Sequence, residues 1–328
     1  MNFYGASVLL VVFGALLVAL DLLLLALTPV VLPRLGRLGS AARTDAILLV
    51  RSLPLLLASA TTALAFVPAW WRHEPENTGE AVSLLLFAIA VISLLPVLQG
   101  AQRAARMFVK TRTRLLVWRG RGRSAALVPH SPFEVVEVKS DDLALCVGGY
   151  LRPTIYASAD VMKSLDPAEL EAALAHEVSH ASQKDPLRLL WMGSCPDFLQ
   201  WFALDAPWRR AFASACEFAA DERAAGGNEE VALDLASALL KVARIRTPGA
   251  LTGDAALEVA VSSAYSSPVD LRARVEALAA LRSSPSAVPA SLQQGAALAL
   301  LVVVAALGAL GSEHAHGLTE SVGRLLAP

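Results

Sequence analysis

The feature that most constrains the fold is a set of four long apolar stretches. They cover residues 7–32, 46–69, 81–98 and 294–310. A helix needs about 20 apolar residues to cross a bilayer, and 55% of this chain is hydrophobic while only 17% is charged. A soluble domain does not need so much apolar material, so the four stretches predict transmembrane helices. We interpret the first as a retained span, because no Lys or Arg precedes it and it is longer than the apolar region of a signal peptide.

The distribution of basic residues predicts the orientation of these helices, since Lys and Arg concentrate on the cytoplasmic side. The loop after the first stretch is basic, whereas the loop after the second carries three glutamates. The third stretch is followed by a basic run with no acidic residue in it: Arg103, Arg106, Lys110, Arg112, Arg114, Arg119, Arg121 and Arg123. The N-terminus is therefore predicted outside. A nucleic-acid patch is the alternative interpretation of the run, but beside a span we favour topology and contact with anionic lipid.

This pattern divides the chain into four segments. Residues 1–100 hold three transmembrane helices with short loops, 101–292 form a cytoplasmic domain, 293–312 hold the fourth transmembrane helix, and 313–328 form a short tail outside. The net charge of −1 argues against a general nucleic-acid binder. Three cysteines without a CxxC pairing indicate reduced thiols, which suits a cytosolic domain.

The cytoplasmic domain is predicted to be α+β and mainly helical, with a small sheet. Alternating, β-branched segments predict strands at 133–138, 143–147 and 154–158. Helical periodicity starts after Asp166, a good N-cap that Pro167 and Glu169 complete as a capping box. Further helices are predicted at 207–225, 229–245 and 269–281.

The most informative motif is His-Glu-Val-Ser-His at residues 176–180. On a helix, His176 and His180 project from one face about 6 Å apart along the axis, so both imidazoles can bind one ion. Neutral imidazoles suit Zn²⁺, and Glu177 can then act as general base towards the water in the open coordination position. An ordinary surface helix is the alternative, but this helix is almost wholly apolar, and buried His and Glu need partners.

The third metal ligand is predicted on another helix, where Glu217 precedes Asp221 by one turn. A second carboxylate so placed can accept a hydrogen bond from a ligating imidazole and fix its orientation. We therefore predict Glu217 as the ligand and Asp221 as the residue that orients one histidine. Cys216 points away from Glu217 around the helix and is interpreted as a buried thiol.

These motifs resemble those of the BlaR/MecR-type family of integral-membrane metallopeptidases. The shared elements are the His-Glu-Val-Ser-His motif with Lys184-Asp185, the Glu217-x-x-Ala-Asp221 motif, the strand at 153–158, the segment 165–170, and the Trp201-Phe202 and Pro207-Trp208 pairs. The resemblance implies a zincin-type fold, one zinc ion and, in the best-known members, cleavage that relieves transcriptional repression. HtpX-like and prenyl-protein proteases have similar motifs but distribute their spans differently.

Three further predictions concern residues around this site. Arg272 and Arg274 resemble a late element of the family, and one of them is expected to stabilise the oxyanion or brace the site. Asp21 lies within the first span and is expected to have a function there, with Arg51 as its partner. An exposed edge strand is expected to bind substrate in extended form; its residues are Thr154, Ile155, Tyr156, Ala157 and Ser158.

The sequence thus favours a zinc endopeptidase that cleaves a protein substrate at the cytoplasmic membrane surface. A cytoplasmic repressor is one such substrate, and a separate sensor protein is a possible partner, whereas direct nucleic-acid binding is not expected. Two alternatives stay open: a quality-control protease of membrane proteins, and a signal transducer with a structural zinc site. Residues 311–328 contain no Ser-x-x-Lys and no room for a penicillin-binding domain, so we expect no covalent binding of β-lactams.

The predicted orientation has a direct test. A cysteine placed at Glu76 should react with a membrane-impermeant reagent in intact cells, because that loop is predicted outside. A cysteine placed at Arg121 should react only after the cells are opened. Labelling of the Arg121 position in intact cells would contradict both the orientation and a cytoplasmic substrate.

Overall fold

A computed structural model describes residues 3–73, 83–124, 131–139, 143–196, 205–245, 262–263 and 268–280, together with Gly317 and Ser321. Three helices in these ranges are long and apolar enough to cross a membrane. The first is α1, Phe3–Leu35. The second is α2, Ser40–Thr61, which continues through a π-helical turn, Thr62–Phe66, into α3, Val67–His73. The predicted fourth span at 294–310 lies outside the described residues.

The third long helix, α4, extends well beyond its apolar stretch and runs without interruption over Leu84–Arg121. The basic run predicted after residue 98 is therefore carried on the same helix as the span. Gly100 marks the point where α4 meets the rest of the domain, because a Cβ there would lie 2.4 Å from the carbonyl oxygen of Ser194. Only glycine allows an approach this close.

The sheet has five strands in the order β1-β2-β4-β3-β5. The strands are β1 Gly122–Ser124, β2 Val135–Val138, β3 Leu145–Gly148, β4 Thr154–Ser158 and β5 Ser262–Ser263. Strands β2 and β4 are parallel, and the other pairs are antiparallel. The strands predicted at 133–138, 143–147 and 154–158 correspond to β2, β3 and β4. Neither β1 nor β5 was predicted.

The prediction that Thr154–Ser158 is an exposed edge strand is wrong. As β4 it pairs with β2 on one side and β3 on the other, and all five residues are buried. Ile155 packs in the cluster shared with α6, while Tyr156 packs against Trp118 of α4 on the opposite face. Its backbone groups are already paired, so it cannot receive a substrate strand. In the described part of the chain, the outer strands are β1 and β5.

In the described ranges, six helices follow β4 along the chain, and β5 lies between the last two: α5 Ala159–Ser164, α6 Pro167–Ser182, α7 Asp185–Ser194, α8 Ala206–Ala225, α9 Glu229–Ile245 and α10 Pro268–Ala279. The predicted start of α6 and the predicted limits of α8, α9 and α10 agree to within two residues. The capping box at Asp166 is confirmed, with the backbone N–H of Asp166 donating to Oε2 of Glu169 over 2.9 Å.

Two packing layers position α6 and α8. The sheet is covered by α6 and α9 on one face, where Val147 and Ile155 meet Leu174, and by the end of α4 on the other. The helices α7 and α8 pack against α1 and α2, where Ile47 and Phe212 belong to one cluster. The C-terminal part of α1 and the N-terminal half of α2 therefore share a hydrophobic core with α7 and α8.

Glu169 provides a test of how α6 is held in place. Besides capping the helix, its carboxylate accepts from Ser237 over 2.6 Å and from Lys241 over 2.7 Å, both on α9. Glu169→Ala should lower the free energy of unfolding by about 2 kcal/mol, because it removes a cap and leaves the partly buried donors of Ser237 and Lys241 without their acceptor. The exposed Glu171 on the same helix is the matched control, and an equal loss in Glu171→Ala would contradict this account.

Candidate metal centre

Helix α6 carries three polar side chains that point into the protein. His176 is 1% exposed, and Glu177 and His180 are fully buried. They lie among Ala172, Ala173 and Leu174 of the same helix, which are also buried. Three polar groups in an apolar core need partners, and those partners come from other helices.

Helix α8 brings Glu217 to the two histidines. The Nε2 atoms of His176 and His180 lie 3.0 Å apart. Oε2 of Glu217 is 3.6 Å from Nε2 of His176, and Oε1 is 3.6 Å from Nε2 of His180. One possible ligand atom from each residue thus falls within 4.8 Å of the others. The structure therefore brings together the three residues that the sequence predicts as metal ligands.

A carboxylate faces the outer nitrogen of each imidazole. Nδ1 of His180 lies 2.7 Å from Oδ2 of Asp185, and Nδ1 of His176 lies 2.9 Å from Oδ1 of Asp221. The His176 contact is short, although the N–H does not point straight at the oxygen. An ionised carboxylate can only accept, so Nδ1 is the donor in both rings. Each Nε2 then faces the centre of the site.

This arrangement fits a metal ion. Two imidazole nitrogens held as acceptors only 3.0 Å apart repel each other unless a proton or a cation lies between them. Ligands about 2.1 Å from a tetrahedral ion are separated by roughly 3.4 Å. The observed separations of 3.0, 3.6 and 3.6 Å are close to that value. His176, His180 and Glu217 can therefore hold one divalent metal ion.

The guanidinium of Arg274 donates hydrogen bonds to two acidic side chains of the site. It lies on α10 and is completely buried. Its Nε and Nη2 each donate to Asp221 over 2.7 Å, and its Nη1 donates to Glu217 over 2.7 Å. A bidentate contact of this kind fixes the orientation of a carboxylate. Because its donors are directed at these two carboxylates, Arg274 has the geometry expected of a residue that braces the site.

Arg272, which was predicted with Arg274 as a possible participant, lies away from the site. Its side chain is 82% exposed and pairs with Glu276 on the same helix over 2.7 Å. Two residues along a helix correspond to a rotation of about 200°, so Arg272 and Arg274 face opposite sides of α10. The sequence alone does not reveal which of the two faces the core.

Glu177 differs from the other acids in having no partner. Both of its carboxylate oxygens are buried without a hydrogen bond in the described part of the protein. Burial raises the pKa of Glu177 to about 7, and the neighbouring histidines oppose this shift only in part. A carboxyl group with a pKa near neutrality can both take up and release a proton under physiological conditions.

The remaining pKa shifts reflect the ion pairs around the ligands. Burial acts to lower the pKa of His176, but the neighbouring carboxylates of Asp221 and Glu217 outweigh it and raise the pKa to about 9. Burial acts to raise the pKa of Asp221 and of Glu217, and the charge of Arg274 outweighs it, so both stay below their usual values. The pKa of Asp185 is also lowered, since bonds to His180 and Arg188 outweigh its burial. The carboxylates are therefore charged at neutral pH.

The other residues singled out from the sequence do not join this cluster. Cys216 packs with Ile47 and Phe212, and burial raises the pKa of its thiol well above the usual value. Asp21 and Arg51 are both buried within the apolar helices. Three further histidines of the chain, His130, His314 and His316, lie outside the described residues. The sequence analysis did not predict the contact between Asp185 and His180. The position of Asp185, five residues after His180 and just beyond the end of α6, could have indicated it.

The fold and the site define a mainly helical protein with helices long and apolar enough to cross a membrane and a buried three-residue cluster that can hold a metal ion. The family model described as BlaR1 peptidase M56 matches residues 72–278. The match covers more than half of the chain, and the protein belongs to this family of membrane-associated metallopeptidases. No curated protein matches the chain significantly, and no solved structure does so either.

The pKa of His176 makes metal binding depend on pH. With a pKa of about 9, His176 carries a proton in the metal-free site at pH 7, and a metal ion must displace it. Between about pH 6 and pH 8, each unit of decrease should weaken the apparent metal affinity about tenfold. Calorimetry in buffers with different ionisation enthalpies should show release of about one proton per metal bound. A binding enthalpy independent of the buffer would contradict this assignment.

Proposed function

We propose that this protein is a membrane-embedded zinc endopeptidase that cleaves a protein substrate at the cytoplasmic surface of the membrane. His176, His180 and Glu217 bind the zinc ion, and Glu177 is the catalytic base. Two imidazoles with one carboxylate are a frequent ligand set of catalytic zinc, whereas Mg²⁺ and Ca²⁺ prefer oxygen ligands. The ring orientation set by Asp185 and Asp221 supports the same choice.

The observation that carries this proposal is the unpaired carboxylate of Glu177. A structural zinc site has four protein ligands and needs no base. Here a buried acid stands directly beside a three-residue ligand set, and neither oxygen has a hydrogen-bond partner among the described residues. Leaving such a group unpaired is costly, so its presence favours a role with a water molecule and a substrate.

Each residue then has a distinct task. When bound, zinc supplies an acidified water and polarises the scissile carbonyl. Glu177 accepts the proton of that water at its carboxylate and later delivers it to the departing amine. Its pKa of about 7 suits both steps at neutral pH. Arg274 keeps Glu217 oriented through the 2.7 Å contact at Nη1, and acts on the reaction only through that ligand.

The location of the reaction is inferred from the membrane helices. The apolar helices and the metal-bearing helix α8 share one core around Ile47 and Phe212, so the site lies close to the ends of the spans. The basic residues on α4 favour the cytoplasmic side. A soluble cytoplasmic protein, such as a transcriptional repressor, is the substrate class that the family resemblance suggests testing first.

Glu177→Ala tests the mechanism without removing a ligand. The purified variant should bind about one zinc ion with affinity close to wild type, while hydrolysis falls by about 10²–10⁴-fold, because the base is lost and the ligands remain. Glu217→Ala should lower zinc content, and Glu171→Ala serves as an exposed control on the same helix. Retained hydrolysis in Glu177→Ala would contradict the assigned mechanism.

The same variant identifies the substrate. Membrane and cytosolic proteomes of cells that express wild type or Glu177→Ala are compared for new protein termini. New termini in a cytosolic regulator support the proposed substrate class, whereas new termini confined to membrane proteins would favour a quality-control protease. Equal termini in both cell lines, under conditions where the purified enzyme is active on peptides, would contradict cleavage of a cellular protein.

A further inference from the structure

A chain of polar contacts connects the metal site with the second membrane helix. Asp185, which faces Nδ1 of His180, also accepts from Nη1 of Arg188 over 3.2 Å. The other terminal nitrogen of Arg188, Nη2, binds Oδ1 of Asp45 on α2. His180, Asp185, Arg188 and Asp45 therefore form one continuous path from a predicted ligand to a membrane-spanning helix.

The inner part of this path is rigid. The side chain of Asp185 is 1% exposed and that of His180 is fully buried, so neither can exchange its partner for water. Asp185 follows a tight turn in which Lys184 adopts a left-handed backbone conformation with φ of 54°. This turn starts α7 beside the end of α6 and places the carboxylate next to the imidazole. Any displacement of Asp185 must therefore change the His180 ring as well.

Arg188 connects three helices. It belongs to α7, and its guanidinium contacts Asp45 on α2 and lies 5.7 Å from the ring centre of Phe212 on α8. Its side chain is 17% exposed, whereas that of Asp45 is 47% exposed. The Asp45 end of the path is thus accessible to solvent, whereas the His180 end is not. Arg188 thus links Asp45 on α2 with the buried carboxylate of Asp185.

A second set of contacts couples α2 to the same helices. Ser40, at the start of α2, donates to Glu222 of α8 over 2.9 Å. Arg223, the next residue, donates to Ser179 of α6 over 2.6 Å. Glu222 and Ser179 are the immediate neighbours of Asp221 and His180. The first turn of α2 therefore contacts α8 directly, and α8 in turn contacts α6 through Arg223.

We propose that Asp45 and Arg188 are positioning residues of the metal site, through which the position of α2 sets the orientation of His180. This inference rests on the proposed function only in requiring that His180 binds zinc. A position of α2 that keeps Asp45 on Arg188 holds the imidazole ready for the metal, because a fixed outer partner raises metal affinity. A position of α2 that separates Asp45 from Arg188 lowers the metal affinity. The membrane helices thereby regulate the centre that they anchor.

A double-mutant cycle on the full-length protein tests the proposal, with the apparent zinc Kd and the absorption spectrum of the Co²⁺-substituted protein as readouts. Arg188→Gln should raise the Kd by about tenfold, because Asp185 loses its support. Asp45→Asn should raise it by about two- to fivefold, as expected for a partly exposed ion pair, and should shift the Co²⁺ spectrum. In the Arg188→Gln background, Asp45→Asn should add nothing to the Kd, since the proposed path from Asp45 to His180 runs through Arg188.

Two controls separate positioning from general effects. Asp45→Glu keeps the charge and should restore most of the affinity. Arg123→Gln removes an exposed ion pair with Glu137 at the far edge of the sheet and should leave the Kd and the spectrum unchanged. The proposal is overturned if Asp45→Asn leaves both readouts at wild-type values, or if its effect is equally large without Arg188. Failure of the wild type to bind zinc would instead contradict the proposed function itself.

Discussion

The structure depends on the way in which two imidazoles are held with their Nε2 atoms facing each other. A carboxylate stands at each Nδ1, from Asp221 and from Asp185, so both inner nitrogens are acceptors at a separation of 3.0 Å. Such an arrangement is stable only with a proton or a metal ion between the rings, because two lone pairs directed at one another repel. The charges of Arg274 and Arg188 on the outer carboxylates keep those carboxylates ionised in a buried place.

This requirement explains why helices distant in sequence meet at one point. The ligands come from α6 and α8, the brace from α10, and the support of His180 from α7. Removing any one of these charges would leave the others uncompensated in the core, which is more costly than never burying them. The cluster is therefore a common constraint on four helices, and α7 and α8 are in turn packed on the membrane helices through Ile47 and Phe212.

Local signals predicted the helices of the domain well, and for clear physical reasons. Asp166, Pro167 and Glu169 define the start of α6 through groups within one turn, so the sequence is sufficient there. The spacing of His176 and His180 places both on one face of that helix whatever surrounds it. The strand at 154–158 was located correctly, but its place in the sheet was not, because pairing partners are chosen by residues far along the chain.

What the sequence determined by itself was three of the four predicted apolar helices, the helix that carries His176, Glu177 and His180, and the acidic type of the residue that joins the two histidines. Periodicity, capping and hydropathy act over a few turns and need no partner. Only the tertiary structure decided that Arg274 and not Arg272 faces the carboxylates, that β4 is interior, and that Asp45 reaches His180 through Arg188. Those outcomes depend on how helices rotate and pack against one another, which is set by the whole core and by no local segment.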